Sequence, residues 1–305
     1  MERRLKTGVV GAGVFGAYHA AKHAASDRAD FVGVFDTDPA RADSLADRLG
    51  VRKFADFDGL LAAVDAVTIA SPASAHFDAA RAALEAGRHV YVEKPLAMTV
   101  AQADILIALA EKKGLILQVG HQERFVLAAL GLPLAGSEPS KLEFSRCGPP
   151  TGRGEEVSVV FDLMIHDLDI ARCFGFEAPV SVSACGDRNE TIATLLFAGG
   201  RQCSFIASRR SEGRRRLLKA AFDGGVTEID FFKRSVTGSP DRAAAAAFAD
   251  PLGASVEAFF GSILDGTQTL VDGKAGRAAI EWASMIEDAR DSLNASAAML
   301  DRKIA

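Results

Sequence analysis

No stretch of this 305-residue chain reaches the roughly 18 uninterrupted apolar residues that a membrane-spanning helix requires. Basic charge is not in excess. The 35 Lys and Arg face 40 Asp and Glu, for a formal net charge of −5, so no global positive field exists to hold nucleic acid or an anionic membrane. Cysteine is scarce. Cys147, Cys173, Cys185 and Cys203 are scattered without a Cys-x-x-Cys pair, so no metal site is expected. Arg3, Arg4 and Lys6 precede an apolar run, as in a signal peptide. Glycines punctuate that run and His19, Lys22 and His23 soon interrupt it, so the secretory reading is set aside. Scattered thiols then suggest a reduced, cytoplasmic protein. There is no internal repeat. With 49% apolar and 25% charged residues the chain is not disordered, and its length suits two domains.

Short β-branched runs occur at residues 7–10, 31–35, 66–70, 89–92 and 115–119. Ala- and Leu-rich helical stretches at 77–86 and 101–112 separate the later ones. Uninterrupted apolar runs suit strands covered on both faces, so the alternation predicts a doubly wound α/β domain with a parallel sheet over residues 1–120. Beyond residue 121 the texture changes. Strand candidates at 140–145, 180–185, 191–197, 202–207, 217–222 and 227–232, with hairpin turns at Gly199-Gly200 and Gly224-Gly225, predict an antiparallel sheet in an α+β domain over 121–305. Residues 159–173, 251–265 and 274–300 read as helices. The last has one apolar face that suits packing back on the first domain. Residues 238–250 read as a loop or a poorly packed helix.

Gly11-Ala12-Gly13-Val14-Phe15-Gly16 follows the first strand and opens a helix. Gly11 permits the tight turn, Gly13 lets backbone approach a pyrophosphate, and Gly16 allows close helix–strand packing. The helix N-terminus offers N–H groups and a positive dipole end to phosphates. Asp36 ends the second strand, 20 residues after Gly16. A carboxylate there accepts hydrogen bonds from ribose hydroxyls and repels a 2′-phosphate, which favours NAD over NADP. Arg41 nearby is the residue that would soften this preference.

Two further clusters point to chemistry. Glu93-Lys94-Pro95 follows the strand at 89–92, where Lys94 is expected at the carboxyl end of the sheet. Asp162 and His166 lie four apart and share one helix face. His121 is a candidate contact for nicotinamide or substrate, while His19, His23 and His89 read as structural. Asp167 and Asp169 read as caps or ion-pair partners. Arg209, Arg210, Arg214, Arg215 and Arg216 read as a solvated hairpin. The sharper alternative is that one or two of them, with Arg124, Arg146 or Arg153, bind a diphosphate.

This ordered set resembles the glucose–fructose oxidoreductase / inositol dehydrogenase / rhizopine-catabolism family. The features that carry the resemblance are Gly11–Gly16, Asp36, Ser71-Pro72 with His76, Glu93-Lys94-Pro95, Asp162-x-x-x-His166 and Asp250-Pro251-Leu252 before an apolar helix. The resemblance implies a Rossmann domain plus an open-faced antiparallel α+β domain, through whose sheet members assemble as homodimers or homotetramers. It implies oxidation or reduction of a sugar or cyclitol carbinol with NAD. By that similarity Gly11, Gly13, Val14, Phe15, Gly16, Asp36, Ser71, Pro72, His76, Glu93, Lys94 and Gln122 line the cofactor. Lys94, Asp162 and His166 line the substrate, and His121, Arg124, Arg146 and Arg153 stand beside them as further substrate-binding candidates read from the residues.

Two segments resemble a narrower branch, the UDP-N-acetylglucosamine 3-dehydrogenases that supply a 2,3-diamino sugar to lipid A. They are Val119-Gly120-His121-Gln122-Glu123-Arg124-Phe125 and the stretch from Val159 through His166 to Asp169. Where that branch commonly continues with Asn-Pro, Val126-Leu127 stands here. The resemblance implies His166 as general base, Lys94 as the donor that stabilises negative charge on the reacting oxygen, and Asp162 orienting His166 or holding a neighbouring hydroxyl. A dehydrogenase of a free sugar or inositol, and a non-catalytic NAD-binding regulator, remain as alternatives.

Overall fold

Runs such as Ala66–Ile69 and His89–Val92 have no polar face to show to water, so they become strands only where helices cover both sides of a sheet. The computed structural model describes residues 4–133, 138–152, 155–238 and 248–304. It builds the first unit on β1 (Leu5–Val10), β2 (Ala29–Phe35), β3 (Arg52–Lys53), β4 (Ala66–Ile69), β5 (His89–Val92) and β6 (Leu117–Val119). All pairs are parallel and the order is 3-2-1-4-5-6. Helices α1 (Val14–Ala25), α2 (Pro39–Leu49), α3 (Phe57–Ala63), α4 (His76–Glu85) and α5 (Val100–Lys113) connect the strands. The order reverses between β1 and β4, which places the ligand crevice of such a sheet beyond the carboxyl ends of those strands.

The second unit begins at Glu123 with α6 (Glu123–Ala129), then β7 (Lys141–Cys147). A π-helical turn over Val160–Met164 runs into α7 (Ile165–Cys173). The strands β8 (Pro179–Gly186), β9 (Glu190–Phe197), β10 (Gln202–Ser208), β11 (Arg215–Phe222), β12 (Gly225–Asp230) and β13 (Ser235–Thr237) complete a sheet of order 13-12-11-7-10-9-8. Period-two patterning turns Leu142 and Phe144 of β7 and Cys203, Phe205 and Ala207 of β10 inward, and Phe144 stacks on Phe205 at 5.0 Å.

The expected antiparallel sheet is mixed, because β7 and β10 run parallel. The chain leaves β7 through α7 and returns by the β8–β9–β10 meander, and a helical crossover is what parallel neighbours require. The second hairpin turns on Asp223-Gly224 rather than Gly224-Gly225, since Phe222 already pairs with Gly225. The edge strands β3 and β13, of two and three residues, carried too short a pattern to be predicted.

Helices α8 (Pro251–Leu264) and α9 (Gly273–Ile304) end the chain. The first unit holds the residues up to Gln122 together with Asp250–Arg277, and the second holds Glu123–Ala249 with the residues from Ala278. Helix α8 returns to the first domain whole, and the final helix α9 joins it there with its first turn, residues 273–277, where Lys274 pairs with Glu111 and Arg277 with Asp104. Val256, Phe259 and Phe260 of α8 are buried against Leu5, Ala29, Ala66 and Tyr91. Trp282 of α9 is buried beside Phe197 in the second unit. Most of the expected loop at 238–250 lies outside the described residues. Among the described residues no helix is long and apolar enough to cross a membrane.

Candidate functional site

The fingerprint turn is fixed by contacts that only glycine allows. Gly11 has φ +92°, and its N–H bonds the Phe35 carbonyl at 2.8 Å. A Cβ on Gly16 would lie 1.7 Å from the Gly11 carbonyl oxygen, so this glycine lets α1 pack onto β1. A Cβ on Gly13 would meet nothing within 4 Å. The space above Gly13 is open, no side chain caps α1, and no acid occupies its first turn. An anion is the natural occupant of such a terminus. Asp36 accepts hydrogen bonds from the N–H groups of Ala12 and Asp38, which hold its carboxylate beside the turn. Arg41 is paired with Asp38 at 3.2 Å. Just after β4, the buried Ser71 hydroxyl has no hydrogen-bond partner. Open backbone over Gly13, a fixed acid at the end of β2 and a waiting hydroxyl fit a dinucleotide.

Beyond β5 a buried acid anchors the next loop. Glu93 accepts from Gln122 Nε2 at 3.1 Å and lies 2.6 Å from His19 Nε2. Its carboxylate rests against Gly120, where a Cβ would come within 2.8 Å of it. Burial works to raise Glu93, but His19, Lys94 and His76 outweigh it and hold the acid below its ordinary value. His76 sets Nδ1 at 2.7 Å from the Pro95 carbonyl and Nε2 at 2.9 Å from that of Ser71. Burial pulls its pKa down, so the ring is neutral and donates to one carbonyl at a time. It ties the loop after β4 to the loop that presents the half-buried Lys94.

The second unit carries a compact set of charges. His166 follows directly on the π-helical turn, a rare geometry that is frequent at functional sites. Its Nδ1 lies 2.8 Å from Glu123 Oε2. Arg146 donates to Glu123 Oε1 at 3.0 Å and grips Asp167 through Nη2 at 2.7 Å and Nε at 3.1 Å. Burial works to raise Glu123, but His166 and Arg146 outweigh it and hold the carboxyl well below the ordinary range. Burial likewise opposes the charge on Arg146, and Asp167 and Glu123 more than restore it. Arg209 donates to Asp162 at 3.1 Å, and Arg124 grips Asp169 with two bonds of 2.7 Å.

Comparison with known proteins bears on this arrangement. Residues 5–121 match the model of the oxidoreductase family with an NAD-binding Rossmann fold, which is the family named above. The chain is 33% identical over 302 residues to UDP-N-acetylglucosamine 3-dehydrogenase of Acidithiobacillus ferrooxidans, covering 92% of this chain and 96% of that one. The chain belongs to this oxidoreductase family. A solved structure of the Acidithiobacillus enzyme superposes with a TM-score of 0.85 at 32% identity, covering 95% and 98% of the two chains. An inositol 2-dehydrogenase of Rhizobium meliloti is 29% identical over 230 residues, 68% of this chain and 69% of its own. Scyllo-inositol dehydrogenase of Lactobacillus casei, solved with NAD(H) and scyllo-inositol, shares the fold with a TM-score of 0.81 at 22% identity.

In this NAD-binding oxidoreductase, Gly11, Gly13, Val14, Phe15, Gly16, Asp36, Ser71 and Pro72 gather beyond the carboxyl ends of β1, β2 and β4, with Val14 and Phe15 exposed. Glu93, Lys94, His121 and Gln122 follow β5 and β6, and His121 is buried. Several expectations change. His76 is buried with both ring nitrogens against backbone carbonyls, so it holds loops rather than lining a cofactor. Arg146, expected at the substrate, is 3% exposed and its guanidinium is taken by Glu123 and Asp167. Arg124 is likewise engaged by Asp169. The carboxylate at His166 Nδ1 is Glu123, and Asp162, expected to orient His166 or to hold a neighbouring hydroxyl, receives Arg209. Arg153 lies outside the described residues.

Sequence reasoning gave Glu123 no role of its own, left His19 structural and grouped Arg209 with a solvated run. Signals for two of them existed. Glu123 sits inside the segment that carried the narrower resemblance. Arg209 continues the inward period of Cys203, Phe205 and Ala207, which separates this 6% exposed residue from the exposed Arg210, Arg214, Arg215 and Arg216.

Proposed function

We propose that this oxidoreductase oxidises C3 of UDP-N-acetylglucosamine to a ketone with NAD, on the way to a 2,3-diamino sugar of lipid A. In this reading it works in the cytoplasm as a homodimer or homotetramer. The observation that carries the reading is the extent of similarity. The match to the Acidithiobacillus enzyme spans 96% of that chain, whereas the match to the Rhizobium inositol dehydrogenase spans 69% of its chain.

NAD, when bound, supplies the hydride acceptor. The backbone over Gly13 and the Asp36 carboxylate hold its pyrophosphate and ribose. His166 takes the proton of the reacting hydroxyl at Nε2, and Lys94 stabilises the negative charge that develops on that oxygen. With Arg124 and Arg146 committed to carboxylates, the exposed Arg214, Arg215 and Arg216 are, among the described residues, guanidinium groups that can grip a diphosphate.

The test compares UDP-N-acetylglucosamine with free N-acetylglucosamine by NADH formation. Charge-assisted hydrogen bonds to a diphosphate are each worth about 1.5–3 kcal/mol, and such remote binding energy positions the reacting carbon. The nucleotide sugar should therefore show kcat/KM at least about 10²-fold higher. UDP should inhibit competitively, less so at high salt. Equal turnover of the free sugar or of inositol, without inhibition by UDP, would move the assignment to a free polyol. NADH binding without turnover of any sugar would leave a regulatory protein.

A further inference from the structure

A histidine acts as a base through whichever ring nitrogen lacks the proton, and that is decided by what the other nitrogen meets. We propose that Glu123 is the positioning residue of His166, holding the ring with Nδ1 protonated and Nε2 carrying the lone pair. The inference rests on the reading of His166 as the base. The sequence had offered Asp162 for this task, or for holding a neighbouring hydroxyl.

The geometry supports it in three steps. Glu123 Oε2 lies 2.8 Å from His166 Nδ1, and an ionised carboxylate can only accept. The other oxygen, Oε1, receives Arg146 Nη1 at 3.0 Å, so the carboxylate cannot turn without losing a partner. Arg146 is itself fixed, because Asp167 takes its Nε and Nη2 edge. The result is a four-member chain, Asp167–Arg146–Glu123–His166, built from β7, α6 and α7. Glu123, held well below the ordinary carboxylate range, stays charged across the working pH. When Nε2 gains a proton, the imidazolium finds a compensating charge already in place, as in a buried acid–histidine pair.

The charged groups of this network come from several elements of the second unit. Glu123 approaches from α6, Arg146 from β7, Asp162 and Asp167 from its own segment, Arg209 from the end of β10, and Arg216 from β11, where it pairs across the sheet with Arg146. Arg146 keeps Asp167 when Glu123 is neutralised, and Arg209 keeps Asp162. Replacing Glu123 by Gln therefore removes the negative charge that lies 2.8 Å from Nδ1. It also reverses a hydrogen bond. Arg146 can only donate, so it claims the amide oxygen and turns the amide N–H₂ toward Nδ1. That nitrogen must then accept, and the proton moves to Nε2, where it blocks the base.

The experiment reads the tautomer directly. In the full-length protein labelled with nitrogen-15 histidine, with His166→Asn used to assign the signal, wild type should show Nδ1 protonated and Nε2 bare near neutral pH. Glu123→Gln should reverse the two shifts and lower kcat by about 10²–10⁴, with KM and NADH affinity within about twofold. Its residual activity should lose its acid limb at a lower pH by about one unit. Glu123→Asp, which keeps the charge, should keep the wild-type tautomer and recover part of kcat. A wild-type ring protonated on Nε2, or near-full kcat in Glu123→Gln, overturns the assignment. Near-full turnover in His166→Asn overturns the base itself, and is distinguished by leaving the tautomer result intact.

Discussion

Gly13→Ala isolates cofactor binding from folding. Gly13 has φ −71° and ψ −166°, a conformation alanine adopts without strain, and a Cβ there meets nothing within 4 Å. The folding cost is confined to the helix cap, where Ala is poorer than Gly by about 0.5–1 kcal/mol. The melting temperature should therefore fall by about 1–3 °C. The methyl group does occupy the space from which a pyrophosphate reaches the first N–H groups of α1. Losing one charge-assisted bond costs about 1.5–3 kcal/mol, so NADH should bind about 10- to 150-fold more weakly. Ligand-induced stabilisation magnifies the contrast. At NADH 100 times the wild-type Kd, wild type gains about 2.7 kcal/mol, whereas a variant weakened 100-fold gains about 0.4 kcal/mol. Fluorescence titration and thermal scans with and without NADH read both numbers. Gly16→Ala is the control that should lose stability as well, because its Cβ would press on the Gly11 carbonyl. An NADH affinity within twofold of wild type in Gly13→Ala would refute the cradle.

Two more outcomes follow from the same geometry. Lys94→Ala should lower kcat/KM by about 10²–10³, the usual loss when a donor to a developing oxyanion is removed, with NADH affinity little changed; near-full turnover would remove Lys94 from the chemistry. Burial, and then His19, hold His23 down at about 3 from 6.5, so the unfolded chain binds the extra proton between those values. The stability that the neutral ring confers is full above pH 6.5 and is lost as pH falls toward about 3, at about 1.4 kcal/mol per pH unit. His23→Gln should flatten the slope of urea-unfolding free energy between pH 6 and 4 by about that amount, and an unchanged slope would mean that other groups dominate.

Legibility differed between the units for physical reasons. Glycine positions, strand runs and the acid at residue 36 are local, and a local pattern sufficed to place them. The strand order 3-2-1-4-5-6 was not among the sequence expectations; right-handed crossovers leave a doubly wound sheet few alternatives to it. The partner of His166 was not local. Asp162, four residues away, was the neighbour that spacing could see, while Glu123 arrives from 43 residues upstream on a different helix. Arg146 misled in the same way. A lone arginine reads as a ligand for phosphate, and only the fold shows that two carboxylates already fill its fork. The parallel pairing of β7 with β10 was hidden because a strand pattern carries no direction.

The returning helix has a consequence for how the protein is made. The first unit takes Val256, Phe259 and Phe260 into its core, and the Val119 N–H bonds the Val271 carbonyl. A nascent chain that has just reached Gln122 therefore still lacks part of its own interior. The missing piece arrives only with the 155 residues from Glu123 to Arg277, about 8–30 s later at bacterial to eukaryotic synthesis rates. During that interval Tyr91 and Leu5 await their covering aromatic rings, and the intervening unit is synthesised before its predecessor can close. A gene fragment ending at residue 122 would freeze the protein in that waiting state. The nucleotide-binding half is thus not a cassette that can be cut out or transplanted, whatever the order of its motifs along the chain suggests.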